Sequence, residues 1–112
     1  KEYDAVVVAA GLDEPIRLGV PGEDAAIFWP DYLRSPSKYA LKGKAVAVIG
    51  GGAVAADCAR TARVAGARHV EMFALEKVGE MPLTAKEFAI CAWFRLRLLG
   101  RKLLSWSGIR SE

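Results

Sequence analysis

An α/β fold built on a parallel sheet is what this sequence predicts, on three observations. Residues 45–49, Ala-Val-Ala-Val-Ile, are wholly apolar, the pattern of a strand buried on both faces. An alanine-rich stretch from Ala53 to Ala65 follows the glycines at 50–52 and stops at Gly66, as a helix with a glycine C-terminal cap does. A second strand-like run, His69-Val-Glu-Met-Phe-Ala74, comes directly after. Strand, helix and strand at this spacing make a βαβ unit, whose crossover is right-handed almost without exception.

Taken in order, residues 4–10 form an apolar, β-branched run and are expected as a buried strand. Gly11, Pro15, Gly19, Pro21 and Gly22 make residues 11–24 an irregular crossover. Asp31-Tyr-Leu-Arg34 is expected as a short helix with Asp31 as its N-cap. Pro36 ends it, because proline removes a donor and disfavours helix in the residue before it. Lys42-Gly-Lys44 is a polar turn into the strand at 45–49. The second strand is expected over 69–75, and Val78-Gly-Glu-Met-Pro82 as loop. Thr84-Ala-Lys-Glu87 has the capping-box spacing, so a helix should start at Ala85, and apolar residues extend it past Leu99. In that helix Phe88, Cys91, Leu98 and Leu99 are expected to face protein, with Arg95 and Arg97 at a wet edge.

Composition narrows the class. At 112 residues and 53% apolar content, one small globular domain is expected rather than a disordered chain. No apolar run is long enough to span a membrane. Cys58 and Cys91 make neither a disulfide framework nor a C-x-x-C pattern, and a reducing, cytoplasmic setting is the default. Charge is unevenly spread: residues 1–87 carry 11 Lys/Arg and 12 Asp/Glu, whereas residues 88–112 carry 5 and 1. The basic character belongs to the tail and gives no reason to invoke nucleic acid. Arg95, Arg97, Arg101 and Lys102 among large apolar residues suit a helix facing protein better than one at a membrane surface. His69 is the single histidine, with no cluster of ligating residues around it in sequence, and no metal ligand is assigned. No Ser-His-Asp set or paired-carboxylate pattern occurs, and no residue is assigned as catalytic.

The chemistry is carried by the glycines. Gly50, Gly52 and Ala55 fit the G-x-G-x-x-G/A fingerprint of dinucleotide sites. Gly50 permits the tight turn, Gly52 lets backbone approach a pyrophosphate, and a small residue at 55 lets helix and strand pack closely. The opening of the helix adds free N–H groups and the positive end of its dipole. Gly50, Gly51, Gly52, Ala53, Val54 and Ala55 are therefore the candidate cofactor-binding set. The fold class is α/β, a Rossmann-like three-layer nucleotide-binding domain with a parallel sheet that is only partial here. The alternative is a glycine-rich turn with no ligand.

Gly50-Gly-Gly-Ala-Val-Ala-Ala-Asp-Cys-Ala-Arg-Thr-Ala62, Gly66-Ala-Arg-His-Val70 and Glu80-Met-Pro82 extend the pattern. In order and spacing they resemble the pyridine-nucleotide domain of glutamate synthase small subunits and their relatives. Tyr3-Asp-Ala-Val-Val-Val-Ala-Ala-Gly11 resembles a strand of that family's FAD-binding domain, and Val20-Pro-Gly-Glu-Asp24 the crossover between its two domains. The resemblance fades after about residue 88, where relatives continue into further strands and none is evident in this sequence. It implies that residues 1–24 are an end strand of the FAD-binding domain plus the crossover, and residues 25–87 the NAD(P)-binding βαβ unit. Residues 88–112 remain as a basic amphipathic helical tail. It also implies NAD(H) or NADP(H) as cofactor, FAD in the parent enzyme, and hydride transfer between nicotinamide and flavin. The implied partners are the dinucleotide and the remainder of a larger flavoenzyme or a partner subunit, the chain itself being a fragment or truncated relative. A competing expectation is a non-catalytic interaction module whose tail docks on a partner subunit or membrane.

Cofactor choice rests on the residues after the second strand. Glutamate synthase relatives usually carry Tyr-Arg-Arg there, where this chain has Ala74, Leu75 and Glu76. A carboxylate at 76 would repel a 2′-phosphate, so the sequence leans to NAD(H), with Lys77 as a partial offset. Glu76 and Lys77 join the candidate cofactor-binding set; a solvated loop acid is the plain alternative for Glu76. Asp57 and Arg60, one helical turn apart, have the spacing of an exposed pair.

Overall fold

The computed structural model describes residues 2–9, 19, 21–94 and 96–100. Five strands form one sheet in the order β2-β1-β3-β4-β5, with β1 at Ala5–Val8, β2 at Ile27–Phe28, β3 at Ala45–Ile49, β4 at His69–Ala74 and β5 at Arg97–Gly100. Every pairing is parallel. Three helices, α1 (Trp29–Arg34), α2 (Ala53–Val64) and α3 (Ala85–Trp93), connect them. The α/β, Rossmann-like class with a parallel sheet is therefore the observed one, as a small and partial domain.

The two apolar runs become the centre of the sheet. β1 pairs with β3 from Ala5↔Val46 to Val8↔Ile49, and β3 with β4 from Ala45↔His69 to Ile49↔Phe73. All five residues of β3 are buried, as a strand covered on both faces requires. Val7, Val46, Val48, Val70 and Met72 lie in one cluster with Ala55, Cys58, Ala59 and Ala62 of α2 and with Tyr32 and Cys91. All three described helices thus pack on that face of the sheet. Alanine at the contact lets α2 lie close against the strands, which is why the cluster excludes water with so few large side chains. The alternate strand residues Val6, Val8, Ala47, Ile49 and Phe73 form a second cluster on the opposite face with Tyr3. The Tyr3 and Phe73 rings meet edge to face, 5.6 Å between centroids.

A buried carboxylate on that second face was not anticipated from sequence. Glu71, in mid-strand on β4, is only 1% exposed. It accepts hydrogen bonds from the Tyr3 hydroxyl, from His69 Nε2 at 2.8 Å and from Arg97 Nη1 at 2.8 Å. The single histidine is thereby engaged in a structural network. A buried carboxylate is tolerable only with such partners.

Several expectations need correction. Asp31 is not an N-cap: α1 begins at Trp29, with Phe28 at the cap and Pro30 in the first turn. Proline suits that position because its missing N–H is one the helix leaves unused, while Asp31 in the same turn complements the helix dipole. The strand at 4–10 is shorter, Ala5–Val8, and β2 was not foreseen because two residues carry no periodicity. β1, whose sequence resembles an end strand of the FAD-binding domain, pairs in this sheet between β2 and β3.

The largest correction concerns residues 85–99. The capping box forms as expected: Thr84 N–H donates to Glu87 Oε2 at 2.6 Å and Glu87 N–H to Thr84 Oγ1 at 3.3 Å. The helix, however, ends at Trp93, and the chain returns as β5, paired to β4 from Glu71↔Arg97 to Ala74↔Gly100. An open edge on β4 leaves backbone donors and acceptors unpaired, and adding a strand satisfies them. The alternation Arg95-Leu-Arg-Leu98 is the strand signal: Leu96 and Leu98 lie in the helix-side cluster, and Arg97 reaches Glu71 on the other face. Of the residues expected to face protein, Cys91 is buried and Phe88 and Leu98 are half-buried; the Leu99 side chain and Arg95 lie outside the described residues. So do residues 101–112, with Arg101 and Lys102. No described helix is long and apolar enough to cross a membrane.

Cys58 packs among the alanines of α2 against the sheet. Burial, with Asp57 next to it, pushes its thiol up to about 12, so it stays protonated throughout the neutral range. We expect iodoacetamide at mildly alkaline pH to leave Cys58 unmodified in the folded protein and to label it once denaturant is added. Rapid labelling without denaturant, read by mass spectrometry, would contradict this burial.

Candidate functional site

The glycine turn leaves the carboxyl end of β3. On one side stands the end of β1, leading outward to β2; on the other the end of β4, leading outward to β5. The chain thus departs in opposite directions on either side of the turn, the switch point at which ligands of open parallel sheets bind. Gly50 N–H donates to the Phe73 carbonyl at 2.8 Å, and Ala9 N–H donates to the Ile49 carbonyl at 2.6 Å. Both neighbouring strands therefore hold the turn by backbone bonds.

The three glycines have different physical reasons. Gly50 has φ +144°, and a β-carbon there would stand 2.1 Å from the Ala9 carbonyl oxygen and 3.1 Å from the Ala55 β-carbon. Only glycine fits, because both the backbone conformation and the close approach of β1 forbid a side chain. Gly51 is enclosed by protein as well: a β-carbon would lie 2.8 Å from the Ala74 β-carbon and 3.2 Å from Met81 Cγ. Gly52 has an ordinary extended backbone, φ −96° and ψ −175°, and a β-carbon would touch only Pro82 Cγ at 3.7 Å. Nothing in the protein itself demands glycine at 52.

Gly52 is also the N-cap of α2, where it offers no side-chain acceptor, and the first turn contains no acid. Helices usually place Ser, Thr, Asp or Asn at that position and carboxylates just beyond it. The first helical bond here is Ala56 N–H to the Gly52 carbonyl at 3.0 Å. The N–H groups of Ala53, Val54 and Ala55 precede the intrahelical ladder. Ala55 is fully buried beneath Gly50, the close helix-to-strand contact that its small side chain permits.

The loop after β4 closes over the turn. Glu76 Oε2 stands 3.4 Å from the position of a Gly51 β-carbon, so this exposed carboxylate flanks the glycines. The Lys77 ammonium instead approaches Glu80 Oε1 at 3.9 Å, with both side chains exposed. The structure thus brings six residues of the candidate set, 50–55, together with Glu76, and turns Lys77 aside. Met81 and Pro82 wall the turn and were given no such role from sequence; their signal was their place in the Glu80-Met-Pro motif. Asp57 and Arg60 form an exposed pair at 3.8 Å, one turn along α2.

Fold and turn together define a class, a Rossmann-like α/β unit with a dinucleotide-type glycine turn at the carboxyl edge of its sheet. The chain belongs to the pyridine nucleotide-disulphide oxidoreductase family, whose profile matches residues 1–97. It is similar to the NADP(+)-dependent formate dehydrogenase subunit beta of Moorella thermoacetica, 45% identical over 97 residues that cover 78% of this chain and 13% of that protein. It is similar also to the glutamate synthase [NADPH] small chain of Halomonas elongata, 36% identical over 103 residues, covering 80% of this chain and 22% of that one. The Escherichia coli glutamate synthase [NADPH] small chain is 31% identical over 101 residues, covering 77% and 21%. The chain therefore spans between 13% and 22% of the length of these relatives. No solved structure matches it.

Proposed function

We propose that this chain is the NAD(P)H-binding part of a larger flavin-dependent oxidoreductase that passes electrons between NAD(P)H and FAD. The observation that carries this is Gly52, a glycine at the cap of α2 that neither backbone conformation nor packing explains. A residue kept small with open space before it is what close approach of a pyrophosphate needs. The residues present fit that group. The N–H groups of 53–55 would donate to phosphate oxygens, assisted by the positive end of the α2 dipole. Glu76, beside Gly51, would accept hydrogen bonds from the adenosine ribose. Gly50 and Ala55 would hold the turn in place by packing. When bound, nicotinamide and flavin supply the hydride-transfer chemistry, and the protein orients them. The flavin site would be furnished by the remainder of the enzyme or by a partner subunit, in a cytoplasmic setting.

Titration of the chain with NADH and NADPH tests the proposal. Saturable binding of either is expected, and binding of neither would remove it.

The relatives' names specify NADP(+) or NADPH, whereas Glu76 beside the turn argues for NADH in this chain. In Glu76→Arg we expect the ratio of NADPH to NADH affinity to rise about tenfold, as a like charge is exchanged for a phosphate-pairing guanidinium. An unchanged ratio would place Glu76 outside the site. Tighter NADPH binding by the unmutated chain would remove the preference while leaving the site.

A further inference from the structure

At the far end of α2 from the glycine turn lies an open groove of about 420 Å³. Val64 lies twelve positions after Gly52, about 18 Å along the helix, so the groove is remote from the turn. Its walls are Pro36, Tyr39 and Leu41 on one side and Thr61, Val64 and Ala65 on the other. Backbone bonds fix the walls together: Gly43 N–H donates to the Gly66 carbonyl at 2.8 Å and Arg68 N–H to the Lys44 carbonyl at 2.9 Å. Val64 is 71% exposed and lines the groove together with Leu41 and Tyr39.

The chain segments that supply the two walls are basic, and Lys42 itself lines the groove. Residues 33–44 contain Arg34, Lys38, Lys42 and Lys44 and no acid. Residues 58–68 contain Arg60, Arg63 and Arg68, again with no acid. Asp57 and Asp4 lie within 4 Å of Arg60 and Arg68 respectively. Arg63 donates to the Ala67 and Arg68 carbonyls, at 2.7 and 2.9 Å, and among the described residues it forms no ion pair. The stem of Lys42 packs against Gly66.

We propose that this groove docks an acidic polypeptide segment that carries an apolar anchor residue. The basic charge of these segments selects an anionic partner and would repel a second copy of the same surface. The apolar floor selects an anchor side chain, the usual centre of a docked segment's affinity. A nucleic acid would use the cations and leave the floor unfilled.

The test titrates the full chain, by fluorescence anisotropy, with a labelled amphipathic helical peptide of leucine and glutamate. Controls are its lysine-for-glutamate counterpart, its serine-for-leucine counterpart, and a single-stranded oligonucleotide. We expect the leucine–glutamate peptide to bind, more weakly as salt rises, and the lysine peptide not to bind. Val64→Asp should weaken binding at least about tenfold, and Lys38→Glu with Lys42→Glu by a similar factor. Both sites are exposed, so thermal unfolding of the variants should match that of the unmutated chain. Failure of the peptide to bind would overturn the proposal. So would equal binding of the serine peptide or the oligonucleotide, which would mark the face as a general polyanion surface. Self-association of the chain abolished by Val64→Asp would overturn it in favour of a second copy.

Discussion

Gly52→Val is expected to weaken dinucleotide binding at least about tenfold while costing about 1 kcal/mol of stability or less. The stability part follows from the backbone. At φ −96° and ψ −175° a β-branched residue is at ease, and the nearest protein atom to its β-carbon is Pro82 Cγ at 3.7 Å. The small residual cost is that of a poorer helix cap. The binding part follows from the space that the side chain would take at the opening of α2, between the free N–H groups and any phosphate approaching them. Gly52→Ala should show the same pattern in weaker form. Titration with NADH, paired with thermal unfolding, separates the two effects. Equal affinity of variant and parent would remove Gly52 from the site.

Gly50→Ala should do the opposite in kind, costing about 3 kcal/mol of stability or more before any ligand is considered. An added β-carbon would stand 2.1 Å from the Ala9 carbonyl oxygen, on backbone that cannot swing aside as a side chain can. Its φ of +144° adds strain that no L side chain accepts readily. Relief would require β1 and β3 to part at their carboxyl ends, where Ala9 N–H and the Ile49 carbonyl are bonded. For a domain of this size that is a large share of total stability. Urea unfolding is the measurement. A midpoint unchanged from the parent would mean that the turn is looser than its contacts imply. Two glycines of one motif would thus separate experimentally, one serving the fold and the other the ligand.

Much of this was legible in residue types alone. The apolar run at 45–49, the strand-like run at 69–74, the alanine helix between them and Gly66 after it are local signals that tertiary structure reinforces. The capping box at Thr84 and Glu87 was equally plain, since its bonds span only three residues. The glycine turn was found because its chemistry restricts residue type at fixed spacing. The end of α3 departs from the sequence expectation because the leucines and arginines between 95 and 99 suit helical spacing as well, although Arg95-Leu-Arg-Leu98 alternates at the strand period. Two-residue β2 has no period to detect, and α1 starts two residues before Asp31 because Pro30 fits the first turn of a helix.

The βαβ unit and the position of the turn could be read without the fold, because each depends on neighbours close along the chain, and the family followed from several such motifs in order. Which glycines the protein's own packing requires is visible in the folded chain alone. That distinction lies in Ala9, Ala74, Met81 and Pro82, which are distant in sequence and meet the turn only when the strands align. The tertiary structure likewise decided that Glu71 is buried: Tyr3 lies 68 residues before it and Arg97 26 residues after it. It placed Glu76 at the glycines and turned Lys77 to Glu80. Period and propensity report which face of an element is buried, but not which partner from elsewhere in the chain will cover it.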